Sequence, residues 1–93
     1  MIIGVLTIEF HFPYARSIKD KRRLLHGFKE KMRERYNVAL AEIDYQDKWQ
    51  RAKLGLVSIN SSAHIVEETL HKLVRDAANL EEGELAGWDM KFV

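Results

Sequence analysis

The stretch Ala15-Arg16-Ser17-Ile18-Lys19-Asp20-Lys21-Arg22-Arg23 marks the point where the chain changes from a β pattern to a helical one. Before it, apolar and polar residues alternate from Ile2 to Phe12, which is typical of a half-buried strand, and Pro13 ends the alternation. Within it, Asp20 follows Ser17 at the spacing of a capping box, the motif that starts a helix. The stretch therefore predicts where the first strand ends and the first helix begins.

The helix that follows is expected to run for about five turns. Its apolar residues fall within about 80° of one another on a helical projection. These residues are Ile18, Leu25, Phe28, Met32 and Tyr36. Asn37 is expected to end the helix, because asparagine tolerates the left-handed conformation found at many helix ends.

Four further elements are predicted from periodicity and turn residues. They are a strand from Val38 to Tyr45, a strand from Arg51 to Ile59, a helix from Ala63 to Ala78 and a strand from Glu84 to Val93. Tyr45 to Gln50 forms the hairpin tip, Asn60-Ser61-Ser62 supplies N-cap candidates, and Gly83 breaks the chain before the last strand. The residues expected to face inward are Val66, Leu70, Leu73 and Ala77 on the helix, and Ala86, Trp88, Met90 and Phe92 on the last strand.

The resulting order of elements is β-α-β-β-α-β. With right-handed crossovers, this order predicts a four-stranded antiparallel sheet with both helices on one face, which is the α+β ferredoxin-like sandwich. The chain has 93 residues, enough for a single core, so we predict one domain spanning residues 1–93.

The composition excludes several classes of protein. The chain has no cysteine, which rules out disulfides, a thiolate nucleophile and a zinc–thiolate site. No apolar run approaches the roughly 20 residues that span a bilayer, and Met1 to Leu6 lacks the basic segment of a signal peptide. We therefore expect no membrane association and a cytoplasmic location. The abundance of charged residues and the scarcity of amides favour a thermophilic source.

Positive charge is concentrated near the first helix. From Arg16 to Arg35 there are nine Lys and Arg residues against three Asp and Glu, whereas the whole chain carries only +1. Arg22, Lys29 and Arg33, together with His26, follow helical spacing and form a stripe beside the core face. A stripe of this kind neutralises phosphates and gives sequence-independent, salt-sensitive affinity for nucleic acid.

The predicted partner of this stripe is RNA or a ribosomal particle. The residues expected to contact phosphates are Arg16, Lys19, Arg22, Arg23, Lys29 and Arg33. Glu30 and Glu34 lie on the solvent side of the same helix, so an ordinary solvated helix stays open as the alternative.

Two aromatic residues, Tyr45 and Trp49, bracket the hairpin tip and are predicted partner contacts. Burial of the Trp49 edge against the first helix is the alternative, because an exposed indole gains little unless it is covered. A second function class is a homodimer that associates through the sheet face not covered by helices. Apolar residues on that face favour sheet-to-sheet association, and they are Ile3, Val5, Val57 and Ile59.

The familiar chemistries of this fold do not match the residues. The third strand lacks the stacking aromatics of RNA-recognition domains, and the segment from His11 to Ala15 lacks the glycines of an anion-binding loop. His64 and His71 lie about 10 Å apart along the second helix, so pairing with neighbours such as Glu67 is the simpler interpretation.

Four carboxylates are expected on the open sheet face, namely Glu9, Glu42, Asp44 and Asp89. Arg51, Lys53 and Lys91 lie on the same strands, so ion pairing between neighbouring strands is expected in preference to a catalytic dyad. We therefore predict a protein that is not an enzyme, with no catalytic residue, no metal site and no cofactor.

The chain resembles the YlxP-like family of small bacterial proteins of unknown function over nearly its whole length. The matching segments are Gly4 to Glu9, Ala15 to Arg22, Asn37-Val38, Ala41-Glu42, Asp47 to Ala52 and Leu54-Gly55. The resemblance implies a ferredoxin-like fold and no established activity, so it assigns no catalytic residue. Genes of this family often lie beside those for translation initiation factor two and ribosome-binding factor A, which implies a link to the ribosome.

Overall fold

A computed structural model describes residues 1–93 and contains six regular elements. In chain order they are β1 (Ile2–His11), α1 (Ile18–Arg35), β2 (Val38–Asp44), β3 (Arg51–Asn60), α2 (Ala63–Ala78) and β4 (Glu84–Phe92). The order β-α-β-β-α-β is the predicted one.

The four strands form one antiparallel sheet in the order β2-β3-β1-β4. Both helices cover the same face: α1 lies next to β2, and α2 lies over β1, β3 and β4. This arrangement confirms the α+β ferredoxin-like sandwich. The opposite face of the sheet carries no helix.

The core lies between the sheet and the two helices. In β1, Leu6, Ile8 and Phe10 are fully buried, as the alternating pattern predicted. The other buried apolar residues, from the remaining elements and from the loop between β1 and α1, are Phe12, Ala15, Leu25, Phe28, Met32, Ala52, Leu54, Leu56, Val66, Leu70, Leu73 and Ala77. All four residues expected to face inward from α2 are in this set.

The start of α1 is capped as the sequence predicted. Ser17 adopts an extended conformation, and its Oγ accepts a hydrogen bond from the backbone N–H of Asp20 at 3.1 Å. The Asp20 carboxylate accepts in return from the backbone N–H of Arg16 at 3.0 Å. The return bond therefore lies one residue before the position that a capping box uses.

The end of α1 differs from the prediction. The helix ends at Arg35, and Tyr36 follows in an extended conformation rather than Asn37 in a left-handed one. The Tyr36 hydroxyl donates to the Asp76 carboxylate of α2 at 2.7 Å, which anchors the residue where the chain turns into β2. Burial and this hydrogen bond raise the pKa of Tyr36 above its usual value.

The last strand also differs, because a β-bulge shifts its register. Leu85 pairs with Phe10, Gly87 pairs with Glu9, and Ala86 is the extra residue between them. Leu85 therefore packs against the core in place of Ala86. Trp88 and Phe92 remain 47% exposed because β4 is an edge strand that α2 only partly covers.

One charged side chain, Lys21, lies inside the core with no exposed surface. Its Nζ donates to Glu42 Oε2 at 3.1 Å and to the main-chain oxygens of Tyr45 at 2.7 Å and Arg51 at 3.2 Å. The three ammonium protons thus match three acceptors next to the tip of the β2–β3 hairpin. Lys21 therefore attaches α1 to this hairpin.

We predict that Lys21→Met lowers the free energy of unfolding by about 3 kcal/mol, because the Glu42 carboxylate and two carbonyl oxygens lose their donor. Urea unfolding at neutral pH measures the change. Lys19→Met, on the exposed side of α1, is the matched control and stays within about 0.5 kcal/mol of the parent protein. Equal effects of the two substitutions would contradict the role assigned to Lys21.

Two glycines give opposite predictions for substitution by alanine. A Cβ on Gly4 would lie 2.5 Å from Val66 Cγ1 and 2.8 Å from Leu70 Cδ1, whereas a Cβ on Gly27 meets nothing within 4 Å. Gly4→Ala is therefore expected to destabilise the protein by about 1–3 kcal/mol through overpacking. Gly27→Ala is expected to stabilise it by about 0.5–1 kcal/mol, because alanine favours the helix. Thermal unfolding of both variants measures these changes. A stabilised Gly4→Ala protein would refute the close packing of Gly4 against Val66 and Leu70.

Candidate nucleic-acid interface

Most of the predicted phosphate contacts lie along one flank of α1. The other flank faces a groove of about 470 Å³ between the helices, which Leu24, Gly27 and Lys31 help to line. At about 100° per residue, Arg22 and Lys29 lie on the side away from that groove, beside the edge strand β2. We call Lys19, Arg22, Lys29 and Arg33 the basic flank. It extends for about 21 Å at 1.5 Å per residue.

Ion pairing leaves most of the basic flank unneutralised. Arg33 pairs with Glu30 at 2.7 Å within α1, and this exposed pair contributes little to stability. Lys19, Arg22 and Lys29 have no carboxylate within 4.0 Å. Three cations are therefore available to an external anion along the flank.

Two other predicted contacts lie apart from the basic flank. Arg23 lines the groove between the helices and lies 3.9 Å from the Glu82 carboxylate. Arg16 precedes the helix and lines a separate cleft together with Trp49. The structure thus divides the six predicted residues into a flank of four, one groove residue and one cleft residue.

Acidic residues are concentrated on the opposite side of the fold. From residue 63 onward, the part of the chain that forms α2 and β4, seven Asp and Glu residues stand against three Lys and Arg. Because α1 lies at the β2 side of the sheet and β4 is the opposite edge strand, the charge is separated across the molecule. A separated charge of this kind orients the protein toward a polyanion.

The sequence pattern did not reveal the role of Lys21, which belongs to the basic segment from Arg16 to Arg35 but is buried in the core. Position 21 lies four residues before Leu25 and seven before Phe28, so it falls on the apolar face of α1. A charged residue at a core position, with Glu42 predicted on a neighbouring strand, was the signal available in the sequence. Glu42 faces the helix layer and binds Lys21, so its expected place on the open sheet face was wrong.

The two aromatic residues predicted at the hairpin tip have different surroundings. Tyr45 has a left-handed backbone with φ of 63°, and the Arg51 guanidinium lies 4.0 Å from the centre of its ring. Its carbonyl oxygen also accepts a hydrogen bond from Lys21 Nζ, so Tyr45 has a structural role. Trp49 is 47% exposed and lines the cleft with Arg16, which leaves it available to a partner.

One of the ion pairs predicted between strands of the open sheet face is present, whereas Lys53, Lys91, Asp44 and Asp89 have no oppositely charged group within 4.0 Å. Arg51 donates to Glu9 Oε1 at 2.6 Å. This hydrogen bond is the main cause that holds the pKa of Glu9 below its usual value. The Glu9 carboxylate is therefore part of an ion pair.

The exposed face of α2 carries short-range ion pairs. Glu67 lies 3.7 Å from His71, which confirms the predicted local pair, and Glu68 lies 3.3 Å from His64. Glu68 also pairs with Lys72 at 2.9 Å, and this contact lowers the pKa of Glu68. No three of the His, Asp and Glu side chains are grouped closely enough to hold a metal ion. Neither helix combines the length and apolar character needed to cross a membrane.

The fold is similar to that of a solved structure, the C-terminal segment of the alpha subunit of aIF2 from Pyrococcus abyssi, with a TM-score of 0.54. The sequences are 13% identical, and the match covers 98% of this chain and 49% of that one. At this identity the similarity establishes the fold alone. The chain spans about half the length of that segment.

Sequence comparison identifies the family. The Bacillus subtilis (strain 168) protein described as "Uncharacterized protein YlxP" is 33% identical over 73 residues, which cover 78% of this chain and 79% of that protein. The family model for DUF503, described as a protein of unknown function, matches residues 3–90. These two matches confirm the YlxP-like resemblance. The chain therefore belongs to the DUF503 family, whose members include YlxP.

Proposed function

We propose that this protein is a non-enzymatic accessory protein that binds structured RNA or a ribosomal particle through the basic flank of α1. The observation that carries the proposal is a set of three unpaired cations on one flank of α1, of which Lys19 and Arg22 are exposed and Lys29 is partly exposed. A helix anchored by a buried lysine holds these charges at fixed spacing.

The expected mode of binding is contact with the phosphate backbone. Cations that neutralise phosphates release condensed counterions, so the affinity falls as salt rises. A helix flank of about 21 Å suits the backbone of folded RNA, which proteins recognise mainly by shape and by phosphate and sugar contacts. The acidic side formed by α2 and β4 repels phosphate, so RNA is not expected to bind through that side of the protein.

We predict that Arg22→Glu/Lys29→Glu weakens binding to a folded ribosomal RNA fragment by at least about tenfold at low salt, because two phosphate contacts become repulsive. The magnitude of the slope of log affinity against log salt is expected to fall by about two. Fluorescence anisotropy across a salt series measures both quantities.

The matched control is Arg75→Glu/Lys91→Glu, which makes the same change in net charge on exposed residues of α2 and β4. This variant is expected to bind with nearly the affinity of the parent protein. If the parent protein does not bind RNA at low salt, or if both double variants weaken binding equally, the proposal fails.

A second candidate function is self-association through the open sheet face. On that face Val57 is 38% exposed and Ile59 is 48% exposed, and both lie in register with Val5 and Ile3 of β1. Ile43 of β2 is 49% exposed and extends the same apolar area over Gly55. A contiguous apolar area on an uncovered sheet supports an isologous dimer.

For this candidate we predict that the parent protein sediments as a dimer at micromolar concentration, because pairing removes the apolar area from water. Val57→Lys is expected to give a monomer, since it places a charge at the centre of the contact. Arg75→Lys on α2 is the control and leaves the sedimentation coefficient unchanged. A monomeric parent protein at these concentrations would exclude the candidate.

A further inference from the structure

Two of the segments that carry the family resemblance, Ala15 to Arg22 and Asp47 to Ala52, meet at one end of the molecule. Gln50 Nε2 donates to the carbonyl oxygens of Pro13 and Ala15, both at 3.3 Å. The Phe12 backbone N–H donates to the Gln50 carbonyl oxygen at 2.8 Å. The loop before α1 and the end of the β2–β3 hairpin are therefore held together by three hydrogen bonds.

Between these segments lies an open surface cleft of about 470 Å³. Its lining residues are Pro13, Tyr14, Ala15, Arg16, Trp49 and Gln50. Pro13, Ala15 and Gln50 form the hydrogen-bonded frame. The other three side chains, those of Tyr14, Arg16 and Trp49, project from this frame.

The fold makes little use of these three side chains. Tyr14 is 81% exposed, and Trp49 is 47% exposed. Neither ring stacks on another aromatic ring or on a cation, whereas Trp88 contacts His71 and Tyr45 contacts Arg51. The Arg16 guanidinium has no carboxylate within 4.0 Å. Two free aromatic faces and one free cation thus line the same space.

We propose that this cleft is a subsite for one unpaired nucleotide of RNA, whose base stacks on Trp49 and Tyr14 while its phosphate binds Arg16. The inference rests on the proposed function and adds to it a single-stranded nucleotide as the ligand class. Aromatic faces with an adjacent cation are the features by which proteins bind single-stranded nucleic acid. Because every base has a π-face, the subsite is expected to tolerate any base.

The position of the cleft supports an RNA strand as the occupant. Arg16 lies two residues before the start of α1, and Lys19 begins the basic flank three residues after Arg16. A strand whose unpaired nucleotide fills the cleft therefore continues onto the flank, where its next phosphates meet Lys19 and Arg22. An RNA that combines a folded part with an unpaired nucleotide occupies both surfaces.

The first experiment uses tryptophan fluorescence. The chain has two tryptophans, so Trp88→Phe leaves Trp49 as the only indole. Titration with a short oligouridylate is expected to quench Trp49 emission to saturation, because a stacked base quenches an indole. Polyglutamate, a polyanion without bases, is expected to cause no saturable quenching. Equal quenching by both polyanions, or no quenching by oligouridylate that binds, would overturn the subsite.

The second experiment compares variants that differ at the cleft. Trp49→Ala is expected to weaken binding of oligouridylate about 5- to 100-fold and to leave binding of a short RNA duplex unchanged. Trp49→Phe keeps an aromatic face and is expected to retain most of the affinity. Trp88→Ala is the matched control, because both indoles are 47% exposed. Circular dichroism verifies that each variant is folded.

The outcomes separate this inference from the proposed function. If Trp49→Ala weakens neither RNA, or weakens both equally, the nucleotide subsite is wrong. In that case the basic flank still stands, provided that Arg22→Glu/Lys29→Glu weakens binding of the duplex. If the parent protein binds neither RNA at low salt, the proposed function fails, and the subsite fails with it.

Discussion

The buried ammonium group of Lys21 sets the position of α1 relative to the β2–β3 hairpin, because its hydrogen bonds join the two elements. Lys21 has no exposed surface, and its three hydrogen bonds reach Glu42, Tyr45 and Arg51 next to the tip of the β2–β3 hairpin. A buried charge is costly unless every proton finds an acceptor, so α1 has one favoured position relative to the hairpin. The exposed side of α1 and the end of the hairpin are consequently held in a fixed relation.

The inward position of Lys21 explains how the basic segment from Arg16 to Arg35 contributes both to the core and to an exposed charged surface. The same helix that directs Lys21 inward presents Lys19, Arg22 and Lys29 on its outer flank without acidic partners. Near the tip of the same hairpin, the Gln50 side chain donates hydrogen bonds to the loop that contains Tyr14 and Arg16. The cleft and the basic flank are therefore neighbouring parts of one surface, and both are positioned by contacts that lie beneath them.

The sequence predicted those features that depend on local chemistry. Ser17 and Asp20 marked the start of α1, and the apolar spacing of α2 identified its four buried residues, because capping and periodicity act within a few positions. The end of α1 was mispredicted because Tyr36 is held by Asp76, a residue forty positions away. The bulge at Ala86 was missed for the same reason, since it arises from pairing with β1.

The candidate site was predictable to a similar extent. The stripe through Arg22, Lys29 and Arg33 follows from helical spacing alone, and the structure places these residues on one flank. The separation of Arg23 and the cleft shared by Tyr14 and Trp49 depend on tertiary contacts between distant segments. Tyr14 carried no signal in the sequence, because an isolated aromatic residue after a proline is common in loops.

All of these contacts converge on the RNA-binding surface that we propose for α1 and the adjoining cleft. Its most direct test is a titration of the ¹⁵N-labelled protein with a folded ribosomal RNA fragment, followed by amide chemical-shift changes. The largest changes are expected to map to residues 14–33 and to Trp49, with little change in the exposed face of α2. Changes centred on α2 and β4, or spread evenly over the protein, would contradict it.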